Sequence, residues 1–430
     1  MSDSSSSSPR VSPVSMFLIA VLFVISGAAA LIYEVVWTRQ LTTFFGSTLY
    51  GVATVLAAFM GGLALGSLLL GTRADRFSRP LAVFGVFEIL TGLAALAFPF
   101  ALRAVQPIVG VFYVTGGEAT FFLFSLVRFV IVFALLMVPT TLMGATLPLL
   151  SRAVTEQLEK AGGRIGWLYA VNTTGAVLGV FLAGFLLLEM LGVWRTTLVA
   201  AAGDITVGIV SIVLARMLPA VEPSRPAAVA PIPTPDVGGI SPRVVKIVLA
   251  TYAVSGFIAL AYQVAWTRGL IFSFDRLKAT TYSFSGMLVV FLLGLAIGSW
   301  IMQAVVDRQK NLLRLYGLIQ AGIGLGGGLS FFMIVRDWPT LPEEYADGTL
   351  IYWNAVANVM GLTALGIALP TLLMGMAFPV VARIVVRSMD RVGGDVARVY
   401  ALNTIGAIFG SFLGGFFLLQ IGRASCRERV

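Results

Sequence analysis

Residues Ser26–Arg39, SGAAALIYEVVWTR, return as Ser255–Arg268, SGFIALAYQVAWTR, with nine of fourteen positions identical at an offset of 229. Two further blocks repeat at nearly the same distance. Gly62-Leu-Ala-Leu-Gly66-Ser67 returns as Gly294-Leu-Ala-Ile-Gly298-Ser299, and Tyr169-Ala-Val-Asn172-Thr-Thr-Gly175-Ala-Val-Leu-Gly179 returns as Tyr400-Ala-Leu-Asn403-Thr-Ile-Gly406-Ala-Ile-Phe-Gly410, at offsets of 232 and 231. A period this long excludes a solenoid, whose units run about 20 to 50 residues. The chain is built from two homologous halves.

Hydrophobic residues make up 58% of the 430 positions and charged residues 11%, against roughly 25% charged in an ordinary soluble domain. Such a chain belongs in a bilayer, where a crossing needs about 20 apolar residues. Runs of that length lie near 16–38, 48–71, 80–102, 121–149, 167–190 and 195–217, then near 244–266, 279–304, 312–335, 353–382 and 397–420. No run alternates in roughly ten-residue strands, so the spans are expected to be helices, which satisfy their own backbone. The 46 glycines suit helices that pack closely in lipid.

Lys and Arg in the loops set the orientation of such a protein. With the N-terminus inside, the first half places eleven basic residues inside and three outside, and the second half seven and four. A cytoplasmic N-terminus is therefore expected. The net charge of +9 reads as this topology signal and not as a nucleic-acid surface.

The expected organisation is a disordered tail over 1–15, a six-helix repeat over 16–217, a Pro- and Ala-rich cytoplasmic linker over 218–243, and a five-helix repeat over 244–420. The final segment 421–430, IGRASCRERV, resembles one reading frame of a common sequencing adapter. It is read as a non-native tail on a fragment, with the twelfth helix lost. Six crossings per unit make the halves parallel repeats about an axis along the membrane normal. The fold expected is an all-α, major-facilitator-like 6+6 bundle truncated at about 11 transmembrane helices.

Gly71-Thr-Arg-Ala-Asp75-Arg76-Phe-Ser-Arg79-Pro80 resembles the major facilitator loop signature, with Ser78 in place of its second glycine. Asp307-Arg308-Gln-Lys310 occupies the same place after the eighth span. An acid beside arginine at a helix end can pair across to a neighbouring helix, so Asp75, Arg76, Arg79, Asp307 and Arg308 form a candidate conformational gate.

Ionisable groups inside spans cost roughly 2.5 to 3.5 kcal/mol at mid-bilayer on insertion scales and are functional candidates by default. Glu34, Glu88, Arg128 and Asp204 stand in that position. Tyr33 and Trp37 accompany Glu34, and an acidic pocket with aromatic neighbours attracts cations. Aligning the halves sets Glu34 against Gln263, Glu88 against Gln320, Glu189 against Gln420, and Tyr33 and Trp37 against Tyr262 and Trp266. An amide keeps the hydrogen-bonding shape of a carboxylate but holds no charge. The first half is thus the candidate substrate or proton site, with Arg128 as a partner for its acids.

Asn172 and Asn403, each inside a Gly- and Ala-rich helix, are expected to serve helix packing, with hydrogen bonds across helices that glue the halves as the alternative. Leu142-Met-Gly-Ala-Thr-Leu-Pro148 and Leu373-Met-Gly-Met-Ala-Phe-Pro379 set a glycine four residues before a proline, which marks a kink or flexible point. The glycines of Gly322-Ile-Gly324-Leu-Gly326-Gly-Gly follow no strand and read as packing positions. The chain has no histidine and a single cysteine, Cys426, in the tail. No catalytic set, metal site or cofactor is expected.

Together the SGxxALxYxVxWTR, GLAxGS, LMGxxxP and YAxNTxGAxxG blocks resemble the membrane region of bacterial fused major facilitator/spermidine synthase-like proteins, over about residues 16–420. The resemblance implies a transporter-like domain that handles polyamines or related cations. It also implies a fused or partner aminopropyltransferase domain, which nothing in this chain supplies. Two alternatives stand beside transport: a membrane anchor or regulator for such an enzyme, and a structural scaffold.

Overall fold

The computed structural model describes residues 12–45, 48–113, 118–155, 157–221, 240–273, 280–335 and 349–414. The expected adapter-derived tail, Gln420 and most of the linker lie outside the described residues. Helices α1 (Pro13–Phe45), α2 (Thr48–Leu69), α3 (Pro80–Tyr113), α4 (Glu118–Gly144), α5 (Thr146–Val154), α6 (Ala161–Leu182) and α7 (Leu188–Met217) form the first half. Helices α8 (Pro242–Ser273), α9 (Thr280–Val305), α10 (Leu312–Val335), α11 (Thr349–Val385) and α12 (Val392–Leu413) form the second.

Ten segments among the described residues are long and apolar enough to cross a membrane, and one of them, Leu158–Met217, is 60 residues long and carries both α6 and α7. A π-helical stretch, Ala183–Leu187, carries α6 into α7 without a break. At Gly192, inside α7, the backbone takes φ 71°, a left-handed value that glycine adopts without steric cost. Glu189 sits exposed beside this break.

Inside each half the repeated blocks make repeated contacts. A Cβ on Gly175 or Gly179 of α6 would meet the carbonyls of Val24 and Ala28 on α1, while one on Gly406 or Gly410 of α12 would meet those of Ala253 and Phe257 on α8. The backbones touch where the side chains end, as small residues allow in lipid. Asn172 Nδ2 donates to the Phe23 carbonyl at 3.4 Å and Asn403 Nδ2 to the Tyr252 carbonyl at 3.0 Å. Both asparagines therefore join helices of the same half, so the alternative in which they glue the halves is not the arrangement found. The reason is register: each asparagine lies one turn before the glycine that seats its helix on α1 or α8.

The glycine–proline motifs also differ from expectation. In the first copy the helix is interrupted at Ala145, between α4 and α5, whereas in the second α11 runs through Pro370 and Pro379 unbroken. Gly144 and Gly375 press against the carbonyls of Leu63 on α2 and Leu295 on α9. They serve close approach in both copies and interruption in only one. Of the glycine run in α10, Gly322, Gly326 and Gly327 pack on Leu373, Pro370 and Tyr262, while Gly324 and Gly328 have open space in front of them.

Two contacts dominate between the halves: α2 on α12, and α6 on α9. Because α2 corresponds to α9 and α6 to α12 in the repeat, these contacts exchange with each other under the pseudo-twofold axis. The expected parallel 6+6 arrangement is what the described helices adopt.

A methyl group on Gly175 strikes the α1 backbone. Gly175→Ala is expected to destabilise by about 1 to 3 kcal/mol through overpacking, read as a lowered unfolding midpoint in detergent. Gly324→Ala, facing open space, is expected to leave the midpoint unchanged or slightly raised.

Candidate functional site

Three helices of the first half bring a polar cluster into the apolar interior. Ser26 on α1 donates from Oγ to Glu88 Oε1 on α3 at 2.8 Å. Asp204 on α7 lies within electrostatic reach of both Glu88 and Tyr33. Glu88, Asp204 and Tyr33 are 4%, 1% and 0% exposed. The Tyr33 hydroxyl and one Asp204 carboxylate oxygen, Oδ2, have no partner within hydrogen-bond geometry among the described residues.

Ser26, Tyr33 and Trp37 recur at helical spacing and line one side of α1. Tyr33 stacks on Trp37 with ring centroids 5.4 Å apart, and Trp37 leans on Phe98 at 5.6 Å. Beside the cluster is a cavity of about 80 Å³ bordered by Ser26, Glu88, Thr91, Asp204, Tyr169 and Tyr400. Tyr400 belongs to the second half, so the cavity lies where the halves meet. No lysine or arginine pairs with Glu88 or Asp204 among the described residues. A buried carboxylate with no cation beside it is costly, and such sites are neutralised by a proton or by a bound cation.

Of the sequence candidates, Glu88, Asp204 and Tyr33 come together and Trp37 backs them. Glu34 is 3% exposed, but stands about 100° round α1 from Tyr33 and does not border the cavity. Arg128 is set apart from the acids. Its guanidinium donates to the Phe44 carbonyl and lies 4.6 Å from the centre of the Phe44 ring, about 16 Å along α1 from Tyr33 at 1.5 Å per residue. Ser26 was absent from the sequence candidates, although its recurrence as Ser255 was a signal for it.

The second half builds the same frame with uncharged groups. Tyr262 stacks on Trp266 at 5.2 Å, and Trp266 Nε1 donates to Ser330 Oγ at 2.7 Å. In the first half Phe98 occupies the place of Ser330, and Trp37 Nε1 has no acceptor. Gln263 is buried, and Gln320 lies beside Tyr316, whose hydroxyl shares a 3.2 Å hydrogen bond with Thr251.

At one end of the bundle the loop acids tie the halves together. Asp75 accepts the backbone N–H groups of Gly393 and Gly394, at the start of α12, at 2.9 and 2.7 Å. Arg152 at the end of α5 pairs with Asp75 at 3.6 Å and also donates to the Met389 carbonyl. In the other copy Asp307 accepts from Gly163, at the start of α6, at 2.8 Å and pairs with Arg383 of α11 at 3.2 Å. Each acid thus holds the N-terminus of a helix from the opposite half, where unpaired N–H groups and the helix dipole favour an anion.

The gate residues divide accordingly. Asp75 and Asp307 form the two latches, whereas Arg76 and Arg308 are exposed and Arg79 reaches toward the Ala215 carbonyl at 3.5 Å. The cations that complete the latches, Arg152 and Arg383, were not among the candidates. Both stand four residues after the proline of the LMGxxxP block, and the glycine pairs 162–163 and 393–394 also correspond. That doubling was the available signal.

No family model and no curated protein matches this chain. Among solved structures, a bacterial homologue of the iron transporter ferroportin, in an outward-facing state with soaked iron, is 13% identical with a TM-score of 0.54 over 94% of this chain and 91% of that one. The fucose:proton symporter of E. coli is 14% identical, also with a TM-score of 0.54, over 96% of this chain and 93% of that one. A major facilitator superfamily transporter in the outward conformation gives a TM-score of 0.50 at 12% identity. The fold is that of the major facilitator transporters. By that fold, and by its ten long apolar helical segments among the described residues, this is a multi-pass membrane protein.

Within that fold the latches differ in burial. Arg152 and Asp75 side chains are 6% and 9% exposed, against 20% and 21% for Arg383 and Asp307. Asp75→Ala removes the acceptor of the Gly393 and Gly394 N–H groups and one partner of the buried Arg152, and is expected to cost the latched arrangement about 1 to 3 kcal/mol. Spin labels on the two halves at this end should then report a broadened, longer distance distribution. Asp307→Ala, with both partners better hydrated, is expected to cost about 1 kcal/mol and to shift the distribution less.

Proposed function

We propose that this protein moves a small organic cation, of the polyamine class, through a site formed by Glu88 and Asp204 with Ser26 and Tyr33. The observation that carries the reading is the pair of buried carboxylates on α3 and α7, bordering a cavity between the halves, with no basic side chain beside them. The cavity, about 80 Å³, exceeds the roughly 10 to 15 Å³ that one water needs on the same measure, so it has room for an ammonium head. An extended polyamine would enter head first, with its next amine against Tyr169 and Tyr400, whose ring faces attract cations.

The resemblance of the repeated blocks to spermidine synthase-linked membrane regions supports the same substrate class and a fused or partner aminopropyltransferase as its source or consumer. Basic residues concentrate at the latched end, which supports a cytoplasmic placement of that end and of the N-terminus in a bacterial inner membrane. The latched state would then face outward.

The test is uptake of labelled putrescine and spermidine into proteoliposomes, with an imposed proton gradient as a separate variable. Glu88→Gln and Asp204→Asn are each expected to lower flux at least tenfold, while Glu34→Gln retains most of it. Polyamine flux that neither Glu88→Gln nor Asp204→Asn alters overturns the site. Absence of any cation flux from the wild-type protein favours the anchor or scaffold reading.

A further inference from the structure

At the latched end lies a second cavity, of about 570 Å³, that the cation reading does not use. It is bordered by the turn before α10 and that helix's first residues, by the end of α11, and by Leu158 and Ile240. Lys310, Arg314, Arg383 and Arg387 face it, and none of its bordering residues is acidic. Arg383 is engaged with Asp307 at 3.2 Å. Arg387 is half-buried, and its Nε reaches the Ile384 carbonyl at 3.4 Å. Its Nη2 is buried and has no hydrogen-bond acceptor among the described residues. Asp395 lies within electrostatic reach of Arg387 but pairs with Arg398, at 3.5 Å.

A buried guanidinium nitrogen without an acceptor is expensive, because it gives up water and gains nothing. Asn311, Leu312 and Leu313, at the start of α10, border the same space, and a helix N-terminus adds positive potential near it. Folding does not call for this concentration of charge. In the first half the positions corresponding to Lys310 and Arg314 are Ser78 and Ala82, and the helix there, α3, starts in the same manner at Pro80. Lys310 and Arg314 are therefore particular to the second half.

We propose that this cavity binds a phosphate group, held by Arg387, Lys310 and Arg314 against the first turn of α10. A phosphate offers several strong acceptor oxygens, and arginine's fork of donors matches its geometry in a bidentate contact. Basic pockets between membrane helices take phospholipid head groups by this chemistry. A lipid phosphate and a free phosphate would make the same contacts here.

The purified full chain, in neutral detergent, provides the test in two arms. In one, inorganic phosphate is titrated against chloride at matched ionic strength and thermal unfolding is followed. In the other, native mass spectrometry counts bound phosphatidic acid against phosphatidylcholine. Binding in at least one arm is expected, with a midpoint raised by several degrees or a retained phosphatidic acid. The double substitution Lys310→Gln/Arg387→Gln is expected to weaken it at least tenfold. Binding in the first arm alone identifies a soluble phosphate, and in the second alone a lipid head group. If the double variant unfolds, Arg314→Gln, on an exposed helix position, supplies the same reading with a smaller loss. No binding in either arm, or binding that the substitutions leave unchanged, overturns the proposal.

Discussion

A carboxylate set against the first N–H groups of a helix from the opposite half is the interaction on which the arrangement of the two halves depends. It occurs twice, through Asp75 on α12 and Asp307 on α6. In a low-dielectric environment the unpaired N–H groups of a helix start must find acceptors. Supplying them from the other half converts a local requirement into a tie between halves. Arg152 and Arg383 then compensate the charge, so the latch is a closed unit of acid, helix end and cation.

The same accounting explains why the first-half interior differs from everything around it. Along α6 and α12 the polar backbone is satisfied within the helices, and glycine lets them lie against α1 and α8. Asn172 and Asn403 add one hydrogen bond each. Around Glu88 and Asp204 the accounting does not close. Ser26 satisfies one oxygen of Glu88, and no cation answers either charge. In the second half Gln320 stands at the position of Glu88 and carries no charge. The imbalance is therefore not a by-product of how this bundle packs.

Much of this was legible before any coordinates. The doubled blocks and the run of apolar spans carried the helical class and the parallel repeat. The Glu-to-Gln differences pointed to the correct half for the polar cluster. The loop motif located Asp75 and Asp307 but suggested neighbouring arginines as partners. Adjacent residues at a helix end diverge around the axis, so Arg76 and Arg308 face water while the cation comes from another helix. Arg128 failed for the opposite reason: its height along the bundle, set by α4, places it beside Phe44 and far from the acids.

The sequence by itself determined what is periodic and local: where helices run, which residues are duplicated, and which half carries carboxylates. Hydrophobic length and identity at fixed offsets suffice for those. Only the tertiary structure decided which duplicated residues touch. It placed Ser26 under Glu88, brought Asp204 from α7 to the same point, and handed each latch acid a helix from the other half. Those contacts depend on rotation and height of helices far apart in the chain. Both are set by backbone approach at glycines such as Gly175 and Gly406, a geometric property that no single helix encodes.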